Sequence, residues 1–334
     1  MKLWHYIIRR LLLLIPILLG VSIIVFALAH SIPGDPAYML AGGIKSTPEQ
    51  VNITREKFKL NEPLHIQYFY YLSNLFHGDL GISGTTGNPV ARDLITCFPA
   101  TFELTTFATI IAIIIGIPLG VVSATKRDKL PDILSRIFAL AGASIPIFWL
   151  GLALKYIFYY RLDILPGRGR GEVAQTITGL YTIDNLIVGR LDLLVDNIKH
   201  LIMPSICLAF VMLATITRVM RSSMLEVLGE DYIRTARAKG LRERKVIYKH
   251  ALRNALIPTV TVIGMSYGAL LAGSVLTETI FSWDGIGCYA VDAIKNLDYS
   301  AIMGFTLLVA FIFVIVNLIV DILYCIIDPR IRYG

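Results

Sequence analysis

The residues with the greatest capacity for charged interactions lie in Asp231–Pro258, between two long apolar segments. The basic side chains of this stretch are Arg234, Arg237, Lys239, Arg242, Arg244, Lys245, Lys249 and Arg253. Each would cost roughly 2.5 to 3.5 kcal/mol at the centre of a bilayer, so the stretch must be a water-exposed loop. Its Ala, Arg, Lys, Leu and Glu residues favour helix, whereas Gly240 interrupts it and Pro258 marks a later boundary. The pattern predicts a short helix, a break at Gly240 and a second helix that leads into the next apolar segment.

Asp321 is an acidic residue inside an apolar segment, and Asn317 lies on the same helix face four residues earlier. A carboxylate within a membrane could relay protons. Asp321 lies about one to two turns from the end of its segment, and no second acid is expected at the same depth. A structural hydrogen bond or ion pair is therefore the favoured role.

Neither catalysis nor cofactor or metal binding is predicted from the residue patterns. Leu165–Gly171 is rich in glycine, but it lacks the Gly-Lys-Ser/Thr sequence and the strand-then-helix context of a phosphate-binding loop. His200 and His250 fall at or beyond the ends of apolar segments, and the four cysteines lack metal-ligand spacing. Cys97 and Cys288 are predicted on the same side of the membrane, but nothing in the sequence indicates that they pair.

The composition defines the class of protein that carries these residues. The 334 residues are 55% hydrophobic and 16% charged, which indicates a polytopic membrane protein. The formal charge of +7 does not indicate nucleic-acid binding, because the basic residues are divided among short loops. Residues 31–101 are polar and rich in Pro and Gly, and are predicted to form an extracytoplasmic region. Six spans are predicted, at about 11–29, 104–124, 137–160, 201–217, 256–276 and 302–327.

The distribution of Lys and Arg predicts the orientation of these spans. With six spans, 19 of the 31 basic residues fall on the side of both termini and 12 on the other side. Because basic residues accumulate in cytoplasmic loops, both termini and the Asp231–Pro258 loop are predicted to be cytoplasmic.

The fifth predicted span is rich in small residues. Gly264 and Gly268 form a G-x-x-x-G pattern, and Gly273 follows Ala269 at the same spacing, which lets helices approach closely. Tight packing and a place on a substrate path are equally supported, and both could hold. The candidate path residues are Gly264, Ser266, Gly268 and Gly273.

Asp231–Pro258 resembles the cytoplasmic EAA loop of ATP-binding-cassette importer permeases, in the ARAKGL and HALRNALIP form of the dipeptide/oligopeptide/nickel permease family. Aligned on Gly240, the general E-A-A pattern falls on Arg234, Thr235 and Ala236, and these departures follow the peptide subgroup's own version. Further segments resemble the family in the same order: Gly34–Pro36, Leu60–Ser83, Ser144–Leu154, Leu165–Gly171, Thr277–Ile302 and Asp328–Arg332.

This resemblance implies an all-α integral membrane protein with six transmembrane helices and the type I importer permease fold. Residues 1–100 would form a transmembrane helix plus an extracytoplasmic region, and residues 101–334 a five-helix core with its coupling loop at 218–257. The residues implied to contact an ATPase are Arg234, Thr235, Ala236, Arg237, Ala238, Lys239, Gly240 and Leu241.

The implied function is that of the permease subunit of an ATP-driven, binding-protein-dependent importer that works by alternating access, with dipeptides or oligopeptides as cargo. The implied partners are a second related permease, two ATPase subunits, an extracytoplasmic solute-binding protein, the peptide and membrane lipid. The chain itself would be no enzyme and would need no cofactor. It would reside in the cell membrane.

Several alternatives remain open at this point. Relatives in the same importer class also carry nickel chelates, glutathione or oligosaccharides. A secondary transporter would need broken helices with paired polar residues near the midplane and an inverted repeat. Asp321 is the only such polar residue in the sequence, and no repeat is obvious. An intramembrane enzyme would need a buried Ser-His, HExxH or paired-Asp set, and none is present.

Overall fold

The computed structural model describes residues 3–31, 37, 38, 41, 46–57 and 59–327, which are helical apart from loops and one isolated bridge between Ile82 and Pro89. An all-α fold is confirmed. The helices are α1 (Leu3–Ser31), α2 (Pro48–Lys57), α3 (Leu64–Phe76), α4 (Val90–Thr125), α5 (Leu130–Ser144), α6 (Ile147–Leu154), α7 (Tyr181–Val188), α8 (Leu191–Leu228), α9 (Asp231–Ala238), α10 (Glu243–Leu271), α11 (Val275–Phe281), α12 (Ile286–Lys295) and α13 (Tyr299–Ile327). A π-helical segment, Lys155–Arg161, continues α6, and another, Val246–Ala251, lies within α10.

Four of the described helices are long and apolar enough to cross a membrane, namely α4, α8, α10 and the Tyr299–Val320 part of α13. The pair α5 and α6 would make a fifth crossing if it forms one bent span, and α1 contains a shorter apolar stretch, Ile15–Ala27. The membrane-protein class is confirmed, while the count of six spans stays a prediction.

Two helices extend well beyond the spans predicted from hydropathy. Helix α4 begins at Val90 rather than Leu104, and α8 covers Leu191–Leu228 rather than only 201–217. A hydropathy window finds the apolar centre of a helix and misses polar turns that continue it. In α4 such a turn contains Asp93, which accepts a hydrogen bond from Asn88 at 3.1 Å.

A sharp bend divides the third predicted span, over residues 137–160. Helix α5 ends at Ser144, α6 begins at Ile147, and the two helices are bent by 100°. The cause is Pro146, which disfavours helical conformation in the residue before it. Ile145 accordingly has an extended backbone, with ψ of 121°.

The chain forms two compact units, and the first comprises Met1–Phe102, Val173–Arg190 and Leu271–Val314. Its centre contains Glu278, a fully buried carboxylate on α11. Thr101 and Ser274 donate hydroxyl hydrogen bonds to Glu278, each at 2.9 Å. The backbone N–H groups of Gly287 and Cys288 donate to its other oxygen at 2.8 and 3.1 Å. This carboxylate therefore joins α4, α11 and α12 within the first unit.

The second unit comprises Glu103–Glu172, Leu191–Leu270 and Ile315–Gly334. Helix α8 packs closely against α4 and α5 at glycines, whose lack of a Cβ permits the approach. Gly120 of α4 faces Met220, and Gly142 of α5 faces Ala214, and neither glycine has room for a Cβ. Close approach at small residues is typical of helix packing in membranes.

The glycine-rich segment Leu165–Gly171 also belongs to the second unit, where it is held by buried polar contacts. Arg170 donates a hydrogen bond to Glu103 at 2.7 Å, and both side chains are almost fully buried. Asn197 on α8 donates to the Arg170 and Glu172 carbonyls at 2.9 and 3.0 Å. These contacts give the segment a structural role.

Candidate functional site

The predicted break in the basic loop is confirmed at Gly240. Helix α9 ends at Ala238, Gly240 has φ of +74°, and α10 begins at Glu243. Non-glycine residues are disfavoured at this φ because their Cβ would crowd the backbone. The short helix, the break and the second helix therefore follow the predicted order.

An apolar cluster within the second unit anchors α9. Ile233 and Ala236 are the buried residues of the helix, and they belong to one cluster with Met220 and Met224 of α8. The other buried members of this cluster are Val121, Ala124, Val246, Ala251 and Ala255. Because Ile233 and Ala236 are three residues apart, they share one face and turn the opposite face of α9 to the surface.

The structure divides the eight predicted ATPase-contact residues into two groups. Six are exposed: Arg234, Thr235, Arg237, Ala238, Lys239 and Gly240. Ala236 is buried in the cluster, and Leu241 is half-buried against it. These last two residues anchor the helix, so its exposed surface is the basic face around Arg234, Arg237 and Lys239.

An ion pair spans the Gly240 turn. Arg237 donates through Nη2 to Glu243 Oε1 at 2.8 Å and through Nε to Glu243 Oε2 at 3.2 Å. The hydrogen bonds that Arg237 donates to this carboxylate raise the pKa of its guanidinium. The two planar groups therefore link the end of α9 to the start of α10, which sequence reasoning did not predict.

A second link joins the same two helices. Asn254 of α10 donates a hydrogen bond to the Tyr232 hydroxyl of α9 at 2.7 Å. Residues 22 positions apart give no sequence signal for such a contact. Arg234 also donates to Asp231 within α9 at 3.2 Å, but both side chains are largely exposed.

Sequence reasoning also missed a buried carboxylate at the start of α5. Asp132 is fully buried and accepts two hydrogen bonds from Arg221 of α8, at 2.8 and 3.0 Å. Ser123 donates to it at 2.6 Å, and the backbone N–H of Asp128 donates at 3.0 Å. The signals that could have found this network are an acid in the first turn of the apolar helix α5 and arginines that follow the apolar part of α8.

The candidate substrate-path residues divide between the two units. Gly264 and Gly268 lie on α10 in the second unit, where they pack against Val320 and Val316 of α13. Ser266 is half-buried on the same helix. Gly273 lies in the first unit, beyond the end of α10, with φ of +129°. These contacts support the packing role of the G-x-x-x-G pattern.

Three predictions concern residues for which little structure is described. The Asp321 side chain lies outside the described side chains, and both Gly34–Pro36 and Asp328–Arg332 lie outside the described residues.

Cys97 and Cys288 are free thiols. Burial raises the pKa of Cys288.

Comparison with known protein families identifies the family of this chain. The model of the binding-protein-dependent transport system inner membrane component matches residues 116–333. The model of the N-terminal part of such membrane components matches residues 3–105. The chain belongs to this family. The permease class expected from the resemblance is therefore confirmed.

Relatives of this permease match it along nearly its whole length. A dipeptide transport system permease protein, DppB, of Alkalihalophilus pseudofirmus is 50% identical over 98% of this chain and 99% of its own. A probable D,D-dipeptide transport system permease protein, DdpB, of Escherichia coli K12 is 47% identical over 100% and 99%. A glutathione transport system permease protein, GsiC, of Escherichia coli O6:H1 is 39% identical over 98% and 99%.

A solved structure supports the fold of this permease. A chain of the MetNI methionine ABC transporter in an inward-facing conformation has a TM-score of 0.52, at 16% identity, over 71% of this chain and 97% of its own. The permease subunit of a binding-protein-dependent importer is thus the role of this chain, within a type I importer fold.

Proposed function

We propose that this permease imports dipeptides across the cell membrane. The support for this cargo is that full-length relatives at 45–50% identity are named dipeptide transport permeases, whereas the glutathione permease is 39% identical. Because selectivity in this class rests largely on the binding protein, longer peptides, nickel chelates and oligosaccharides are alternative cargoes that the experiment below separates.

The proposed mechanism is alternating access driven by ATP hydrolysis on two separate ATPase subunits. The single observation that carries it is the exposed basic face of α9, fixed between an apolar anchor and the Gly240 turn. Arg234, Thr235, Arg237, Ala238, Lys239 and Gly240 would contact the ATPase, and Ala236 and Leu241 would hold the helix in place. Rigid attachment to α8 and α10 would carry motion of the ATPase into the spans.

The proposed assembly contains a second, related permease and an extracytoplasmic solute-binding protein. Both termini and the loop at 218–257 would be cytoplasmic, as the Lys and Arg distribution favours. Residues 1–100 would form the N-terminal region and 101–334 the transport core, a division supported by separate family models for 3–105 and 116–333. Gly264, Ser266, Gly268 and Gly273 remain candidates for the substrate path.

The test is purification of the tagged permease from detergent-solubilised membranes, with identification of the co-purifying subunits. ATP hydrolysis is then measured with and without the binding protein, which is loaded from a panel of dipeptides, longer peptides, glutathione, nickel chelates and oligosaccharides. We expect two ATPases and a second permease to co-purify, and dipeptide-loaded binding protein to raise hydrolysis above the unloaded level.

Other results would overturn parts of the proposal. Stimulation by glutathione or a nickel chelate, but not by dipeptides, would replace the cargo and keep the mechanism. A permease that purifies alone and moves solute down an ion gradient in vesicles would exclude the ATP-driven mechanism.

A further inference from the structure

A basic cavity of about 360 Å³ lies between α5 and α8 within the second unit. Its basic lining residues are Arg136, Arg218 and Arg221, and Ala139 and Leu140 form an apolar wall. The remaining lining residues carry hydroxyl groups: Ser123, Ser135, Thr217 and Ser222. This combination of arginines and hydroxyls is typical of sites that bind phosphate oxygens.

The charges around this cavity do not balance. Arg221 is engaged by Asp132 through two hydrogen bonds, and Arg136 lies 3.6 Å from the same carboxylate. Among the described residues, no carboxylate lies within 4 Å of Arg218. Three arginines therefore line the cavity, and Asp132 is the one carboxylate described beside them. The cavity keeps a net positive charge, which would attract an anion.

The apolar wall of the cavity continues as an exposed face of α5. Ile133, Ile137 and Leu140 recur at helical spacing, and Ile137 and Leu140 have 58% and 69% of their surface exposed. A small soluble anion would make no use of this face. A molecule with both a phosphate and an acyl chain would satisfy the arginines and cover the apolar residues at once.

We propose that this cavity binds the headgroup phosphate of an anionic phospholipid, with an acyl chain along the exposed face of α5. Arg218 would form the principal ion pair, and Arg136 would close the site from α5. Basic pockets between transmembrane helices on the cytoplasmic side are suited to such headgroups. The placement in the cytoplasmic leaflet rests on the proposed orientation, whereas the chemistry of the cavity rests on its lining residues.

The test is native mass spectrometry of the purified, delipidated importer complex, titrated separately with phosphatidylglycerol, phosphatidylcholine or inorganic phosphate. We expect phosphatidylglycerol to be retained preferentially by the wild type. Arg218→Gln should weaken its binding about tenfold, because it removes a charge-assisted contact. Arg218→Lys should retain part of the binding, since it keeps the charge and loses the planar guanidinium that can donate two parallel hydrogen bonds to a phosphate.

Arg127→Gln is the matched control, because Arg127 is a largely exposed arginine that does not line the cavity. This variant should bind phosphatidylglycerol like the wild type. Equal binding by the Arg218→Gln and Arg127→Gln variants would overturn the proposal. Binding of inorganic phosphate without any preference for phosphatidylglycerol would also overturn it, since the site would then hold a soluble anion. Neither result would affect the cargo or the ATPase partners.

Discussion

Arg237 and Glu243 form a two-point ion pair across the Gly240 turn, which holds the end of α9 against the start of α10. The pair is half-exposed, so its contribution to folding is expected to be below about 1 kcal/mol. Its importance would lie in geometry, because it fixes the angle between the helix proposed to contact the ATPase and the helix that enters the membrane.

Reversing one charge of this pair should therefore affect coupling more than folding. We expect R237E or E243R to reduce stimulation of ATP hydrolysis by loaded binding protein. The R237E/E243R double variant should recover the part that depends on the ion pair, but not the part that depends on the proposed contact of Arg237 with the ATPase. The control is K295E, which disrupts an exposed pair with Asp292 on α12. A double variant no better than either single variant would show that the pair does not act as a unit.

Gly240 permits the left-handed turn that follows α9. Gly240→Val would place a β-branched residue at φ of +74°, at a cost of roughly 1–2 kcal/mol. We expect stimulation of hydrolysis to fall about tenfold while membrane assembly persists. Gly189→Val is the matched control, since Gly189 also follows a helix, has φ of +78° and has no atom near its missing Cβ. If both variants transport normally, the turn has no coupling role.

Asp132 is expected to contribute strongly to stability. Asp132→Asn leaves Arg221 without its buried counter-ion, and breaking such a pair costs about 3–5 kcal/mol. A lower thermal unfolding temperature of the purified complex in detergent would confirm this. Asp128→Asn removes an exposed pair with Arg127, so it should change stability by less than about 1 kcal/mol. Similar unfolding temperatures for both variants would contradict a structural role for the network.

The packing and substrate-path roles of Gly268 can be separated by a compensating substitution. A Cβ at Gly268 would lie 2.9 Å from Val316 Cγ1, so G268A should destabilise the protein by about 1–3 kcal/mol through overpacking. V316A removes that group, and the G268A/V316A variant should recover both stability and transport. Gly20→Ala on α1 has open space around it and serves as the control. Recovery of stability without transport would instead favour a place on the substrate path.

The buried carboxylate of Asp184 should make the free energy of unfolding depend on pH. It is fully buried in the first turn of α7, and the backbone N–H groups of Ile177, Thr178 and Gly179 in the preceding loop donate hydrogen bonds to it. Burial acts to raise the pKa of Asp184, but these hydrogen bonds outweigh it and the pKa lies below its ordinary value. The carboxylate therefore stabilises the fold above the unfolded-state pKa of about 3.9, and this stability is lost as the pH falls through the lower folded-state pKa.

The measurement for Asp184 is thermal unfolding of the wild type and Asp184→Asn between pH 7 and pH 3. Near neutral pH the variant should be less stable by about 2 kcal/mol, since an amide N–H₂ would face backbone donors. The difference should shrink below about pH 4. A constant difference over this range would show that the charge of Asp184 does not matter.

The sequence by itself determined the class, the family and the local structure of the Asp231–Pro258 loop, which is proposed to contact the ATPase. Hydropathy requires membrane helices whatever their packing, and charges exclude Asp231–Pro258 from hydrocarbon. Gly240 specifies its turn through its own backbone freedom. These features depend on properties of single residues or of neighbours along the chain, so periodicity and composition reveal them.

Only the tertiary structure decided which polar groups meet. Asp132 and Arg221 are 89 residues apart, and Thr101 and Glu278 are 177 apart, so no local pattern indicates either contact. The same limit applies to α9, where burial of Ala236 in the apolar cluster divides a continuous motif into anchoring and exposed residues. Helix ends were also missed, because contacts with other segments stabilise polar turns that hydropathy assigns to loops.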